Sequence, residues 1–282
     1  MTIPTDTTRP VFETHLVSVD GLQIRYTTSP HPGTETVVLL SPWPESIYAW
    51  WPMWPTLAAE FSLVAIDLPG FGGSEGRADL MSPRAMGLFV PRILAALGLE
   101  RPHVVGPDVG SSALLFTAAL HPDSVSSIQI GGGAASFPLQ TMGLLQKFID
   151  AGSIEPFRGL DAAEVVGGAV KSIPGYTAPD FVVQDYIDSY AGSRFAESIA
   201  YVQRYPADLD ELADLLPTIQ TPVGILAARN DPFLKLDDPE YLNAVLPHST
   251  LTVLDNTHNA WEESPEVYAG AIIAWVHVGH KR

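Results

Sequence analysis

Six short apolar runs, rich in β-branched residues, punctuate the chain: TVVLL at 36–40, SLVAID at 62–67, HVVG at 103–106, SSIQIG at 126–131, PVGILA at 222–227 and STLTVL at 249–254. Runs of this length that are apolar throughout suit strands buried on both faces. Ahead of them, FETHLVS (12–18) and LQIRYTT (22–28) alternate instead and flank Asp20-Gly21, the dipeptide of a two-residue hairpin turn. The chain is therefore expected to open with an antiparallel pair. Helical patterns fall between the apolar runs at about 47–59, 82–98, 110–121, 237–246 and 264–277. Alternating strands and helices predict an α/β fold, a mostly parallel sheet covered by helices on both faces.

From 136 to 216 the rhythm breaks. GLLQKFIDAG, AAEVVGGAVKSI, FVVQDYIDSYAG and FAESIAYVQRY read as helices separated by Gly and Pro, and no buried-strand run lies among them. The segment reads as a helical cap, or lid, inserted into a core made of residues 1–135 and 217–282. The other reading, a helical domain with its own core, requires independent stability from about 80 residues, near the lower limit.

Composition narrows the chemistry. Against 15 Lys and Arg stand 32 Asp and Glu, a net charge of −17, which repels phosphate backbones and anionic membranes. Nucleic acid and membrane are thus not expected partners. With no cysteine there is no disulfide, thiolate metal site or thiol nucleophile. MTIPTDTTRPVFETH lacks a cationic stretch followed by an apolar one, and no apolar stretch approaches the roughly 20 residues of a membrane helix. A cytoplasmic protein is the default expectation.

The chemistry concentrates where HVVG runs into PDVGSSALLF. An abrupt turn from strand to helix strains the backbone at its apex, and Gly106 and Gly110 would give Asp108 room there. The carboxylate would then stand clear of the sheet beside the amides that begin the next helix. Taken alone, Asp108 reads equally well as the N-cap of that helix.

Its company is more specific. GPDVGS (106–111), DLPGFGGS (67–74), NDP (230–232) and THNAWEESPE (257–266), in this order around an inserted cap, resemble the α/β-hydrolase family over nearly the whole chain. The resemblance is to the branch with an aspartate nucleophile, which includes epoxide hydrolases and haloalkane dehalogenases. It implies Asp108 as nucleophile, His258 as the base that activates water, and an acid that orients His258. Of the family's two positions for that acid, the first falls in IGGGAAS (130–136), which has no carboxylate. Asp231 is left, with Asp237 and Asp238 in reserve and a plain turn as the other reading of Asp231-Pro232. The resemblance also assigns the oxyanion hole to the amides of Val109 and Trp43. Ser41-Pro42-Trp43-Pro44 stands where the family usually has His-Gly-x-Pro, and Trp43–Pro44 is a candidate cis bond.

Dehalogenases of this branch place Trp after the nucleophile, and those acting on short halo-acids place Arg there; this chain has Val109. An opening epoxide instead needs an O–H donor, which the family draws from cap tyrosines. Tyr201 falls on the late cap helix where one such tyrosine is found, though it reads equally well as a packing aromatic. Tyr176 and Tyr186 are candidates for the second, and with Trp43 and Pro44 they complete the expected substrate pocket. YAWWPMW (48–54) is expected to pack beneath the cap and make the nearby wall apolar. The implied protein is an epoxide hydrolase for an apolar small molecule, a monomer or homodimer with neither cofactor nor metal. The alternatives are a haloalkane dehalogenase using the Trp43 indole, a non-catalytic binding protein on the same fold, and a lyase or cyclase.

Overall fold

A computed structural model describes residues 12–279, so residues 1–11 of the segment read above for a leader lie outside the described residues. In chain order the elements are β1 (Thr14–Val19), β2 (Leu22–Ser29), β3 (Thr36–Leu40), α1 (Trp54–Ala58), β4 (Ser62–Ile66), α2 (Pro83–Ala96), β5 (His103–Pro107), α3 (Val109–Leu120) and β6 (Ser127–Gly131). There follow α4 (Gly143–Asp150), α5 (Ala162–Lys171), α6 (Asp180–Ser189), α7 (Arg194–Val202) and α8 (Tyr205–Leu215). The chain then returns through β7 (Val223–Ala228), α9 (Asp237–Val245), β8 (Ser249–Leu254), α10 (Ala260–Glu263) and α11 (Pro265–His277).

The strands form one sheet in the order β1-β2-β4-β3-β5-β6-β7-β8. β2 runs antiparallel to β1 and β4, and all other neighbours are parallel. The opening hairpin turns through Asp20 and Gly21, both at positive φ (49° and 84°), as a two-residue turn matched to strand twist requires. Every residue of β5, β6 and β7 is buried, in keeping with their uninterrupted apolar sequences. β8 alternates because it is an edge strand, with a single neighbour.

The helix expected over 47–59 is not continuous. Ile47–Trp50 forms a single 3₁₀ turn, and α1 begins only at Trp54. Pro52 and Pro55 offer no amide to an α-helical ladder, so the chain restarts with Pro55 in the first turn, where that amide is not needed.

Of the five helices between β6 and β7, α6 and α7 are tied to the core by partly buried charge. Arg25 of β2 donates Nε to Asp67 (2.5 Å) and both terminal nitrogens to Asp185 of α6 (2.7 and 2.9 Å). Asp185 also accepts from Ser46 Oγ (2.6 Å), and Asp67 from the amides of Ile47 and Gly73 (2.8 Å each). Arg194 of α7 donates to the carbonyls of Gly72 and Ser74, within the segment that also carries Asp67. Removing one partner from such a network leaves a half-buried charge unsatisfied. Asp185→Ala is therefore expected to cost about 2–3 kcal/mol. The check is a lowered thermal midpoint, with limited proteolysis beginning inside 136–216; new cleavage confined to the sheet segments would contradict it.

No helix among the described residues is long and apolar enough to cross a membrane. No group of three or more His, Cys, Asp or Glu suited to a metal ion is found among them.

Candidate active site

β5 enters the sheet's centre and α3 leaves it without a connecting loop, so Asp108 absorbs the whole change of direction at φ 51° and ψ −124°. A non-glycine residue held there is strained, and its neighbours must over-determine the geometry. They do: the Asp108 amide donates to Gly131 O of β6 (2.8 Å), and its carbonyl accepts from Ser111 N (2.9 Å). Its side chain makes no cap bond to α3, so the helix-cap reading does not hold. At Gly106 a Cβ would stand 2.7 Å from Leu114 Cδ1, a side-chain tip that would have to turn aside. Gly110 is not crowded, because its Cβ would meet nothing nearer than Leu40 at 3.7 Å. The tight contact at the elbow is Gly133, in the loop after β6, where a Cβ would stand 2.0 Å from Asp108 O.

The two carboxylate oxygens face different partners. Oδ2 accepts from Trp43 N–H (2.7 Å), with the Val109 amide also supporting the charge. Oδ1 lies 3.8 Å from Nε2 of His258. The other ring nitrogen of His258 is 2.8 Å from Asp231 Oδ2, while Asp231 Oδ1 is fixed by the amides of Phe233 (2.7 Å) and Leu234 (3.1 Å). The structure thus brings Asp108, His258, Asp231, Val109 and Trp43 together, and the Trp43–Pro44 bond is cis. Of the reserve acids, Asp237 is exposed, and Asp238 accepts from the amide and hydroxyl of Ser136.

Burial raises the Asp108 carboxyl to about 6, against the pull of His258 and the two amides. Burial alone would lower His258, but Asp231 and Asp108 outweigh it and hold the imidazole up at about 9. At neutral pH the resting pair is therefore a carboxylate beside an imidazolium.

Asp108 and His258 line a cavity of about 350 Å³. Trp43, Phe148, Phe195 and Phe233 give it an aromatic wall beside Pro44, and α4, α5 and α7 close it. Glu45, Ser172 and Asn259 supply the other polar side chains, and no Lys or Arg among the described residues lines it.

The expected tyrosines are elsewhere. The Tyr201 hydroxyl donates to the Val109 carbonyl (2.7 Å), beneath the elbow. Tyr186 donates to Glu262 Oε1 (2.9 Å), and the Tyr176 hydroxyl is buried against Glu262 without a well-formed hydrogen bond. None of the three lines the cavity. For Tyr201 and Tyr186 the physical reason is shared: a phenol in an apolar interior takes the nearest protein acceptor, and here those acceptors lie behind the wall, where Tyr176 also packs toward Glu262. Nor is the Trp43 indole available to a halide, because its N–H donates to Ser198 Oγ (2.7 Å). Reasoning from sequence missed Glu45 and Asn259 as cavity residues. The signal was present in Glu45 directly after Pro44 and in Asn259 directly after His258.

A strand-to-helix elbow on an eight-stranded, mostly parallel sheet, with a histidine from the loop after the last strand, defines a class. The family model described as alpha/beta hydrolase fold matches residues 35–166, and the chain has the α/β-hydrolase fold. It is 28% identical over 259 residues to 2-hydroxy-6-oxononadienedioate/2-hydroxy-6-oxononatrienedioate hydrolase 2 of Pseudomonas putida, covering 82% of this chain and 84% of that protein. Over 118 residues it is 33% identical to the soluble epoxide hydrolase of a Corynebacterium species, covering 41% of this chain and 40% of that one. Among solved structures, Cfl2 wild-type from Burkholderia cenocepacia superposes with a TM-score of 0.81 at 21% identity, over 93% of this chain and 95% of its own.

Proposed function

We propose that this chain is a hydrolase that opens apolar, uncharged epoxides through a covalent ester on Asp108, beneath a lid formed by α4–α8. The observation that carries the reading is the divided use of one carboxylate: Oδ2 rests on Trp43 N–H, and Oδ1 faces His258 Nε2 at 3.8 Å. An oxyanion formed on Oδ2 would already have its donors, while Oδ1 is left to attack. The aromatic wall favours an apolar substrate. The one cation that lines the cavity, the His258 imidazolium, is already paired with Asp108 and Asp231, and no Lys or Arg among the described residues is there for an anionic substrate such as a halo-acid.

With the tyrosines displaced, the acid in this scheme is His258. Asp108 Oδ1 bonds to an epoxide carbon, the C–O bond breaks, and the oxygen takes the imidazolium proton. Once Asp108 is an ester its charge is gone, and the proton affinity of His258 falls with it. Neutral His258, held by Asp231, then takes a proton from the water that attacks the Asp108 carbonyl carbon. The resulting oxyanion sits on the Trp43 and Val109 amides. Collapse expels the diol, whose new hydroxyl takes that proton, and the Asp108 acid returns its own to His258. The sum is epoxide plus water giving diol, with the resting pair restored.

The pH dependence follows from the two groups. Asp108 must be ionised, so activity falls as pH drops through about 6. His258 must carry its proton, so activity falls as pH rises through about 9. A bell-shaped kcat/KM with those flanks is expected; a rate that climbs through pH 9 would exclude His258 as the acid.

A single turnover in ¹⁸O-water tests the ester. The first diol should be unlabelled, with the label in the peptide containing Asp108; label in the first diol would mean direct attack by water on the epoxide.

A further inference from the structure

On the aspartyl-ester reading, His258, with Nδ1 held by Asp231, gives its Nε2 proton to the oxygen that departs from carbon, and a second donor is needed to hold that oxygen while its charge develops. Of the other lining side chains, Ser172 donates to Ala169 O. The Trp43 indole is bound to Ser198. Asn259 is different. One hydrogen of Nδ2 goes to Glu45 Oε1 at 2.6 Å, and its second has no partner among the described residues. Trp261 Nε1 also donates to that oxygen (3.4 Å), which makes Oε1 an acceptor and so orients the amide with nitrogen toward Glu45.

We infer that Asn259 is a catalytic residue that receives the departing oxygen, and that Glu45 and Glu262 position its amide from behind. Glu45 and Glu262 are wholly buried against each other, and Oε2 of each lacks a donor among the described residues. Two facing acceptors are satisfied by one shared proton. The titration agrees: burial and Glu262 hold Glu45 well above the usual carboxylate range, and burial lifts Glu262 to about 7. Tyr186 donates to the far oxygen of Glu262. A neutral Glu45 still anchors Asn259, and it keeps a second negative charge away from an oxygen that is itself becoming negative.

The test compares two alkylating reagents on the His258→Gln protein, in which the ester cannot turn over. An uncharged epoxide needs a donor at its leaving oxygen; an alkyl iodide of the same size does not. Rates of ester formation are read by intact mass, and the quantity of interest is the epoxide-to-iodide ratio. Adding Asn259→Ala should lower that ratio about 10²-fold or more, the usual effect of losing one such donor. Asn259→Asp, which keeps the shape but lacks the donor, carries the same expectation should the alanine variant not fold. Glu45→Leu should lower the ratio and Glu45→Gln, which keeps an acceptor oxygen, should restore it; a purely structural anchor would change both reagents equally. A ratio within threefold of the parent in both Asn259 variants overturns the inference while leaving the ester intact. Absence of any adduct with the parent sinks the ester reading itself.

Discussion

His258→Gln is expected to reduce turnover by about 10⁴-fold or more while an ester accumulates on Asp108. The size follows from the two uses of one side chain. In the proposed scheme the imidazolium supplies a proton when the epoxide opens, and the neutral ring removes one from water when the ester breaks. Glutamine does neither, and a loss of that size is about 5–6 kcal/mol of transition-state stabilisation. The oxyanion amides remain, and Asp108 keeps its place, because Oδ2 is held by Trp43 N–H rather than by His258. The ester should therefore form slowly and then persist. Intact-mass measurement should find the entire mass of the epoxide added to the protein, on the peptide that contains Asp108. An alkyl halide should add its mass less HX, and faster, since halide departs without a proton. A variant that loses turnover with no adduct from any uncharged epoxide or halide would exclude Asp108 as nucleophile.

Gly133→Ala is expected to be nearly as damaging, although Gly133 carries no chemistry. Its added Cβ would meet Asp108 O at 2.0 Å, Ser111 Cβ at 2.7 Å and Ser111 Oγ at 2.8 Å. Those are backbone and short side-chain atoms with little freedom to give way, unlike the tip of a long side chain. Ser111 Oγ already bonds both Gly106 O and Gly131 O, so a push on it spreads to β5 and β6. The cost should reach about 3 kcal/mol or more. For a chain of this size the thermal midpoint should fall by roughly 6–12 °C. Asp108 would also leave its place against the Trp43 amide, with kcat/KM down by about 10² or more. Gly110→Ala is the contrast: its Cβ has ordinary contacts and the position is helical, so the change should cost less than about 1 kcal/mol. If the two variants prove equally stable, the close packing at Gly133 is not what holds the elbow.

Much of this architecture could be read in advance because it rests on local pattern. TVVLL becomes β3 without a change of boundary, and Asp20-Gly21 turns the hairpin, since burial on both faces and positive φ each leave a compositional mark. The grouping of Asp108, Asp231 and His258 was legible in motif order, as each follows a strand of a parallel sheet and so reaches the same end of it. What escaped was pairing across the chain. Nothing local tells Tyr201 to take the Val109 carbonyl, 92 positions away, instead of facing a substrate. Nor does anything local bring Glu45 to Asn259, 214 positions on. IGGGAAS was read only for the carboxylate it lacks, yet its third glycine proves to be a steric condition for the elbow. Proline was underweighted too, which is why 47–59 was expected as one helix.

The grip of Arg25 on Asp185 bears on how molecules come and go. That two-pronged ion pair fastens α6, and Arg194 fastens the start of α7, to segments flanking the oxyanion loop. Among the described residues no ion pair joins α4 or α5 to the sheet, and Leu144 of α4 is 47% exposed at the cavity rim. One side of the chamber is thus clamped by charge, while on the other the start of α4 is held by the Met142 N–H to Phe233 O bond (2.9 Å) and apolar packing, so entry and exit are expected to strain the α4–α5 side first.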